Sequence, residues 1–390
     1  MRTSLQIKVD WREKNIQTFG IDLSFSDVPE SQRTKHVHRL HPYLGKFIPQ
    51  LVETFLKKFF KPGQVILDPF AGSGTTLIEA NLLNMPSVGI ELNEFGFLIA
   101  KVKTQKYDLE ILEKEIMDIL NKTIAFSKKI SSIQGTLFEN LDYHTDFEPS
   151  EYFKTWYHPR AIREIYFYRS LIGNYKYQDV LKVILSRAAR SARQIPHYDL
   201  ARPKRPVKEK YWCIKHKRFC EPIDNAIKFI IRYSFDTIKR IKQFDKLRTN
   251  APIFLFHGDS REIKLPFSRE IDGIFTSPPY LGLIDYHEQH RYAFELFGFN
   301  EHKDSEIGSP NGNDTVSKYK NDIVAVFKNL LNYLKPSAKI FVVVNDKYNL
   351  YPEIAKELGF KIVDVFHRPV LMRTERDTNQ FSESIYYFIY

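Results

Sequence analysis

The apolar positions of the chain alternate between two kinds of order. Across residues 46–60, Phe47, Leu51, Phe55 and Phe59 recur every four positions, which predicts an amphipathic helix ended by Lys61-Pro-Gly63. Val65-Ile-Leu67 is then a short unbroken apolar run, the pattern of a parallel strand covered on both faces. A glycine-containing turn follows, residues 75–83 read as a helix, and Ser87-Val-Gly-Ile90 reads as a second strand closing on Glu91. Strand, turn, helix, strand is the opening of a doubly wound α/β sheet. The same order returns late, with strands at Ile253-Phe-Leu-Phe256, Ile271-Asp-Gly-Ile-Phe275 and residues 339–344, helices at 315–334 and 351–358, and a final alternating strand at 384–390. Between the two halves the pattern is helical, at 160–172, 178–194 and 222–244, with a proline-and-lysine loop at 196–210. The expected layout is an N-terminal part of the α/β domain (1–106), a helical basic insertion (107–250) and a C-terminal part of the α/β domain (251–390).

Composition narrows the class. A hydrophobic share of 43% with 27% charged residues is that of a globular chain, and no apolar run reaches the length of a membrane span. Residues 1–30 have no signal-peptide core, and two cysteines exclude a disulfide framework, so the expected location is cytoplasmic. The net charge is +11, and residues 196–250 hold fifteen Lys and Arg against six Asp and Glu. A surplus concentrated in one stretch points to a phosphate-bearing partner, with a merely solvated basic face as the alternative.

Two segments carry chemistry. In Asp68-Pro-Phe-Ala-Gly-Ser-Gly-Thr-Thr76, Gly72 and Gly74 let the backbone approach a ligand closely, and the absence of a following Lys-Ser/Thr excludes a phosphate loop. Glu91, at the end of the next strand, is placed to take a pair of ribose hydroxyls. A nucleoside without a phosphate clamp suits S-adenosylmethionine; the alternative is a purely structural left-handed turn. Thr276-Ser-Pro-Pro-Tyr280 ends another strand, where its prolines remove N–H donors and leave carbonyls to face a ligand. Acceptors at Ser277 Oγ and the Pro278 carbonyl would take both hydrogens of a base amino group and favour a nucleophilic nitrogen. Tyr280 offers a face for a flipped base.

Both segments resemble those of the amino-methylating (N4-cytosine and N6-adenine) DNA methyltransferases of restriction–modification systems. Phe70-Ala-Gly-Ser-Gly74 is similar to their cofactor loop, and Ser277-Pro-Pro-Tyr280 to their catalytic loop. His41-Pro-Tyr43 resembles an N-terminal segment that helps bind the cofactor, and Asp259 in His257-Gly-Asp-Ser260 the acidic residue that reaches the adenine. The resemblance implies a Rossmann-like fold, S-adenosylmethionine, double-stranded DNA as partner, and a restriction endonuclease as functional counterpart. It assigns cofactor binding to His41, Pro42, Asp68, Phe70, Gly72, Gly74, Thr75, Glu91, Asp259 and Thr276, and catalysis to Ser277, Pro278, Pro279 and Tyr280. Serine at the head of the catalytic loop favours N4-cytosine, with N6-adenine next, RNA base methylation third, and a non-catalytic DNA binder as the rival of another class. Neither Cys213 nor Cys220 sits in the Pro-Cys setting of C5-cytosine chemistry. One departure is topological: the insertion precedes Asp259 rather than following it.

In the insertion, Arg193, Lys204, Arg205, Lys215 and Arg218 are candidate DNA contacts. Cys213-Ile-Lys-His216-Lys-Arg-Phe-Cys220 has the spacing to begin a zinc site, but a fourth ligand could come only from a distant residue such as His197. The segment is therefore expected to be a metal-free basic loop. Asp285-Tyr-His-Glu-Gln-His-Arg291 continues as a helix to Phe297, with neither His287 nor His290 expected to act as a base.

Overall fold

The computed structural model describes residues 11–43, 47–132, 148–199, 203–266, 268–281, 285–301, 305–308, 315–370 and 381–390. Among the described residues, nine strands run in chain order: β1 (Ile66–Asp68), β2 (Ser87–Glu91), β3 (Tyr211–Cys213), β4 (Arg218–Cys220), β5 (Ile253–His257), β6 (Ile271–Thr276), β7 (Leu334–Val344), β8 (Lys361–Val370) and β9 (Phe381–Ile389). The α-helices are α1 (Trp11–Phe19), α2 (Glu30–Arg33), α3 (Pro49–Phe59), α4 (Thr75–Leu82), α5 (Glu94–Thr104), α6 (Leu109–Ser132), α7 (Glu151–Trp156), α8 (Pro159–Leu171), α9 (Gln178–Ala192), α10 (Ile227–Asp245), α11 (Tyr286–Phe297), α12 (Thr315–Leu330) and α13 (Tyr351–Leu358).

Seven strands form one sheet in the order β5-β2-β1-β6-β7-β9-β8, parallel except for β9, which runs against both neighbours. This is the expected doubly wound, mostly parallel α/β fold. The strand order turns at β1 and β6: the chain goes outward through β2 to β5 on one side, then returns to lay β6 on the other. A crevice opens at the carboxyl ends of the strands where such an order reverses. Alternation along the strands assigns the two faces. Ile66, Phe275, Phe341, Val343, Ile385 and Tyr387 join α3 in one core, whereas Leu67, Ile274, Ile340, Val342, Tyr386 and Phe388 join α12 and α13 in another.

Local signals set the helix ends. Pro49 opens α3 at a position where the missing N–H costs nothing, and Leu51, Val52, Phe55 and Leu56 form its buried stripe. Asn93 caps α5 by accepting from the Phe95 and Gly96 amides. Gly298 and Gly359, both at positive φ, end α11 and α13.

The middle region is helical, as expected, and enters between β2 and β5. Its helices α6 to α10 share one continuous core with α5, α11 and the single-turn 3-10 helix at His36–Arg39. Glu164 is buried within this layer and joins three helices. It accepts from Ser127 Oγ on α6 (2.6 Å), Arg160 Nε on α8 (3.1 Å), and the Ala226 and Ile227 amides that begin α10 (2.6 and 2.9 Å).

Some elements went unread in the sequence. β8 carries no clear strand pattern in the sequence, because its first residues are solvent-facing (Ile362 and Val363 are 39% and 44% exposed) and it includes Pro369, which an edge strand tolerates. β7 begins five residues earlier than expected, where Leu334 pairs with Ile271 before a register shift. Residue 46 of the expected first helix and residues 200–202 of the expected loop lie outside the described residues. Among the described residues, no helix is long and apolar enough to cross a membrane.

Candidate active site

The crevice at the β1/β6 switch point is a cleft, in the place where open α/β sheets bind ligands. Three strand ends supply its walls. From β1 and the loop after it come Asp68, Phe70, Gly72, Ser73 and Thr75; from β2 come Glu91 and Asn93; after β6 come Ser277 and Pro279. Asp259, in the loop after β5, closes one side. The cofactor loop and the catalytic loop of the sequence reading thus face one space.

The glycine loop is held from both ends. Asp68 is buried, accepts from the Phe70 amide (3.1 Å) and from Thr276 Oγ1 (2.6 Å), and so ties the two loops together. Burial pushes its carboxyl up to about 6 despite these donors. Gly72 (φ +52°) and Gly74 (φ +79°) take left-handed backbone that a side chain would strain. The turn aims the Gly72 amide at Glu91 Oε2 (2.6 Å), while Oε1 accepts from the Asn93 amide (2.8 Å). Burial raises the Glu91 carboxyl to about 7. Each oxygen keeps a second lone pair for a ligand hydroxyl. Gly96 makes room for this arrangement, since a Cβ there would stand 3.1 Å from Tyr43 Oη and 3.2 Å from the Glu91 side chain. At Asp259, burial opposes ionisation, but the Arg261 guanidinium holds the carboxyl below its usual range; Arg261 also reaches Asp322.

The cleft is suited to S-adenosylmethionine on its own chemistry. Carboxylates from Asp68, Glu91, Asp259 and Glu306 favour a ligand that carries a sulfonium and an ammonium. Ser73 Oγ and Thr75 Oγ1 are buried at its wall without a hydrogen-bond partner among the described residues, an arrangement a polar ligand would complete.

Several assigned residues stand elsewhere. His41 is fully buried behind the wall, edge-on to Phe95 and 3.4 Å from Tyr292 Oη, so it cannot touch a ligand in the cleft. Tyr43, from the same segment, lines the cleft in its place, stacked on His290 at 4.9 Å. Pro42, Gly74, Thr276 and Pro278 are not among the residues whose atoms line this cleft. Tyr280 lies beside the cleft, its hydroxyl donating to Glu383 Oε1 on β9 (2.8 Å); Glu383 is itself paired with the buried Arg368 of β8. His290 is pushed down to about 3 by burial and by Arg190 and Arg193, which removes it as a base at neutral pH.

Of the candidate DNA contacts, Arg193 requires correction. It is 4% exposed, with its guanidinium over the Tyr292 ring and Nε bonded to the Arg190 carbonyl, so it belongs to the helical core. Lys204, Arg205, Lys215 and Arg218 are exposed, the first two on the basic loop and the others on the β3–β4 hairpin.

Comparison with known proteins finds relatives among the methyltransferases. The N6/N4 methyltransferase family described as DNA methylase matches residues 6–102. The type II methyltransferase M.MjaII of Methanocaldococcus jannaschii is 40% identical over 97% of this chain and 84% of its own length. M.MvaI of Kocuria varians is 24% identical over 70% of this chain and 58% of its own. Among solved structures, a methyltransferase from Pyrococcus furiosus aligns at 12% identity over 97% of this chain and 93% of its own, with a TM-score of 0.33.

Proposed function

The chain belongs to the type II DNA methyltransferases of the N6/N4 class, which use S-adenosylmethionine, and on that premise we propose that its target is the exocyclic N4 of cytosine in double-stranded DNA. The observation that carries the choice of base is Ser277, a neutral hydroxyl at the head of the Ser277-Pro-Pro-Tyr280 loop, set on the cleft wall across from the glycine loop. The modification protects DNA from a restriction endonuclease of the same specificity, and the enzyme takes its base out of the duplex.

Bound S-adenosylmethionine supplies an electrophilic methyl group. Glu91 would hold its ribose and Phe70 and Asp259 would flank its base, while Asp68 keeps the two loops in register. Ser277 Oγ and the Pro278 carbonyl accept the two amino hydrogens, which withdraws the nitrogen lone pair from the ring and aims it at the methyl carbon. Tyr280 stacks on the base, its ring fixed by Glu383. No strong base is needed, because the methylated amine releases its proton to water. The helical insertion at 107–250 reads the DNA sequence, with Lys204, Arg205, Lys215 and Arg218 meeting phosphates.

The test is chemical. DNA methylated by the purified chain is digested to nucleosides, and N4-methylcytosine is expected. N6-methyladenine would overturn the choice of base, and methyl transfer to RNA alone would overturn the substrate. Ser277→Ala should abolish transfer while cofactor binding survives.

A further inference from the structure

The β3–β4 hairpin is too small to hold itself. Each strand has three residues, it is separate from the large sheet, and an isolated two-stranded hairpin is marginal in water. One of its faces offers no core: Trp212 and Phe219 lie against each other at 5.4 Å yet are 53% and 61% exposed, and Ile214 in the turn is 67% exposed. The other face is different. Tyr211 pairs with Cys220 and Cys213 with Arg218, so the two cysteines lie diagonally on the same side, and both are buried. The turn, with Lys217 at φ +51°, folds His216 back over them, and His197 approaches from the preceding loop.

We propose that His197, Cys213, His216 and Cys220 form a four-coordinate structural zinc site. One ligand atom from each residue lies within 4.8 Å of all the others. His216 Nδ1 is 3.6 Å from Cys213 Sγ and 3.5 Å from Cys220 Sγ, and His197 Nδ1 is 3.8 Å from Cys213 Sγ. A zinc tetrahedron with Zn–S of about 2.3 Å and Zn–N of about 2.0–2.1 Å has sulfur–nitrogen edges of about 3.6 Å. Hydrogen bonding alone does not account for the cluster. A neutral imidazole has one lone pair at Nδ1, which can serve one thiol, and two converge on His216. His197 Nδ1 is approached in the same way by Cys213 Sγ and by Tyr211 Oη at 2.9 Å. A cation at the centre satisfies all four ligands at once, with the Tyr211 hydroxyl still accepting from the His197 amide (3.1 Å) and its proton turned to solvent.

Binding displaces a proton from each thiol, so affinity rises with pH. The metal also explains how so short a hairpin keeps Trp212 and Phe219 together on its outward face. In the reading above the hairpin meets DNA, but the zinc assignment does not depend on it.

The experiment measures zinc in the reduced, dialysed full-length chain by mass spectrometry, and the absorption of the cobalt-substituted protein. About one zinc per chain and the spectrum of a tetrahedral cobalt–thiolate site are expected. Cys213→Ser and Cys220→Ser should each lose the metal and the spectrum while still binding S-adenosylmethionine, which reports that the sheet has folded. Should either variant fail to fold, chelation of the unsubstituted chain takes its place. It should expose residues 211–220 to proteolysis and leave cofactor binding unchanged. A reduced chain that takes up neither zinc nor cobalt overturns the site, as does metal content unaltered by both substitutions. Either result leaves the choice of DNA base untouched.

Discussion

Glu91→Gln tests the cofactor site most directly. In the structure the carboxylate takes the Gly72 amide on one oxygen and the Asn93 amide on the other. Glutamine keeps one acceptor and sets an NH₂ against the second amide, so one backbone donor in the loop loses its partner. Hydrogen bonds to a charged acceptor contribute about 1.5–3 kcal/mol. Loss of one, with the weakened grip on the ribose, is worth roughly a 10- to 100-fold rise in the dissociation constant for S-adenosylmethionine. Titration calorimetry with the cofactor measures it, and DNA binding without cofactor serves as the control. The carboxyl also fixes the pH response. Burial raises it from 4.5 to about 7, so the folded chain holds this proton more tightly than the unfolded one, and the group costs stability as pH rises across that window. Ribose hydroxyls donate more strongly to the ionised form, so cofactor affinity should rise as pH passes through about 7 and should lose that dependence in the glutamine variant. A variant that binds within about twofold of the parent, with the same pH profile, would refute the role given to Glu91.

Glu383→Ala removes the acceptor of the Tyr280 hydroxyl and the carboxylate paired with Arg368; methyl transfer should fall about 10-fold or more with cofactor affinity unchanged, and Glu383→Gln, which still accepts from Tyr280, should restore most of the rate. Glu164→Ala removes the acceptor shared by α6, α8 and the start of α10, and thermal unfolding should show a loss of about 3–5 kcal/mol. Lys204→Ala with Arg205→Ala should weaken DNA binding evenly across sequences and lower the salt dependence by about two phosphate contacts, measured by binding titrations at several salt concentrations.

The sequence disclosed most readily what lies in consecutive residues. Asp68, Phe70, Gly72, Thr75, Ser277 and Pro279 sit on two turns directly after strands, so strand position and local chemistry placed them on the cleft together. Contacts made across the fold were less visible. Glu383 reaches Tyr280 because β9 lies antiparallel beside β7, two strands from β1, and nothing near either residue records that pairing. Arg193 looked like a free surface cation because its helix ends in a basic stretch, yet the ring of Tyr292 from α11 covers it. His41 and Tyr43 are two residues apart, and only the packing of α11 decides which one faces the cleft. His197 belongs with Cys213 only once the hairpin has folded back on the loop before it.

The continuous core of the helical layer bears on how such an enzyme can change its target. Helices from 107–250 interlock with α5, which starts beside Glu91, and with α11, which follows the catalytic loop. Exchanging that span as a cassette would cut through apolar contacts on both sides and disturb the cleft itself. The chain is modular in topology and not in packing. If the insertion reads the DNA as proposed, new specificity is more readily reached by changing side chains on the exposed loop and hairpin, where Lys204, Trp212 and Phe219 reach solvent and the interior is left intact.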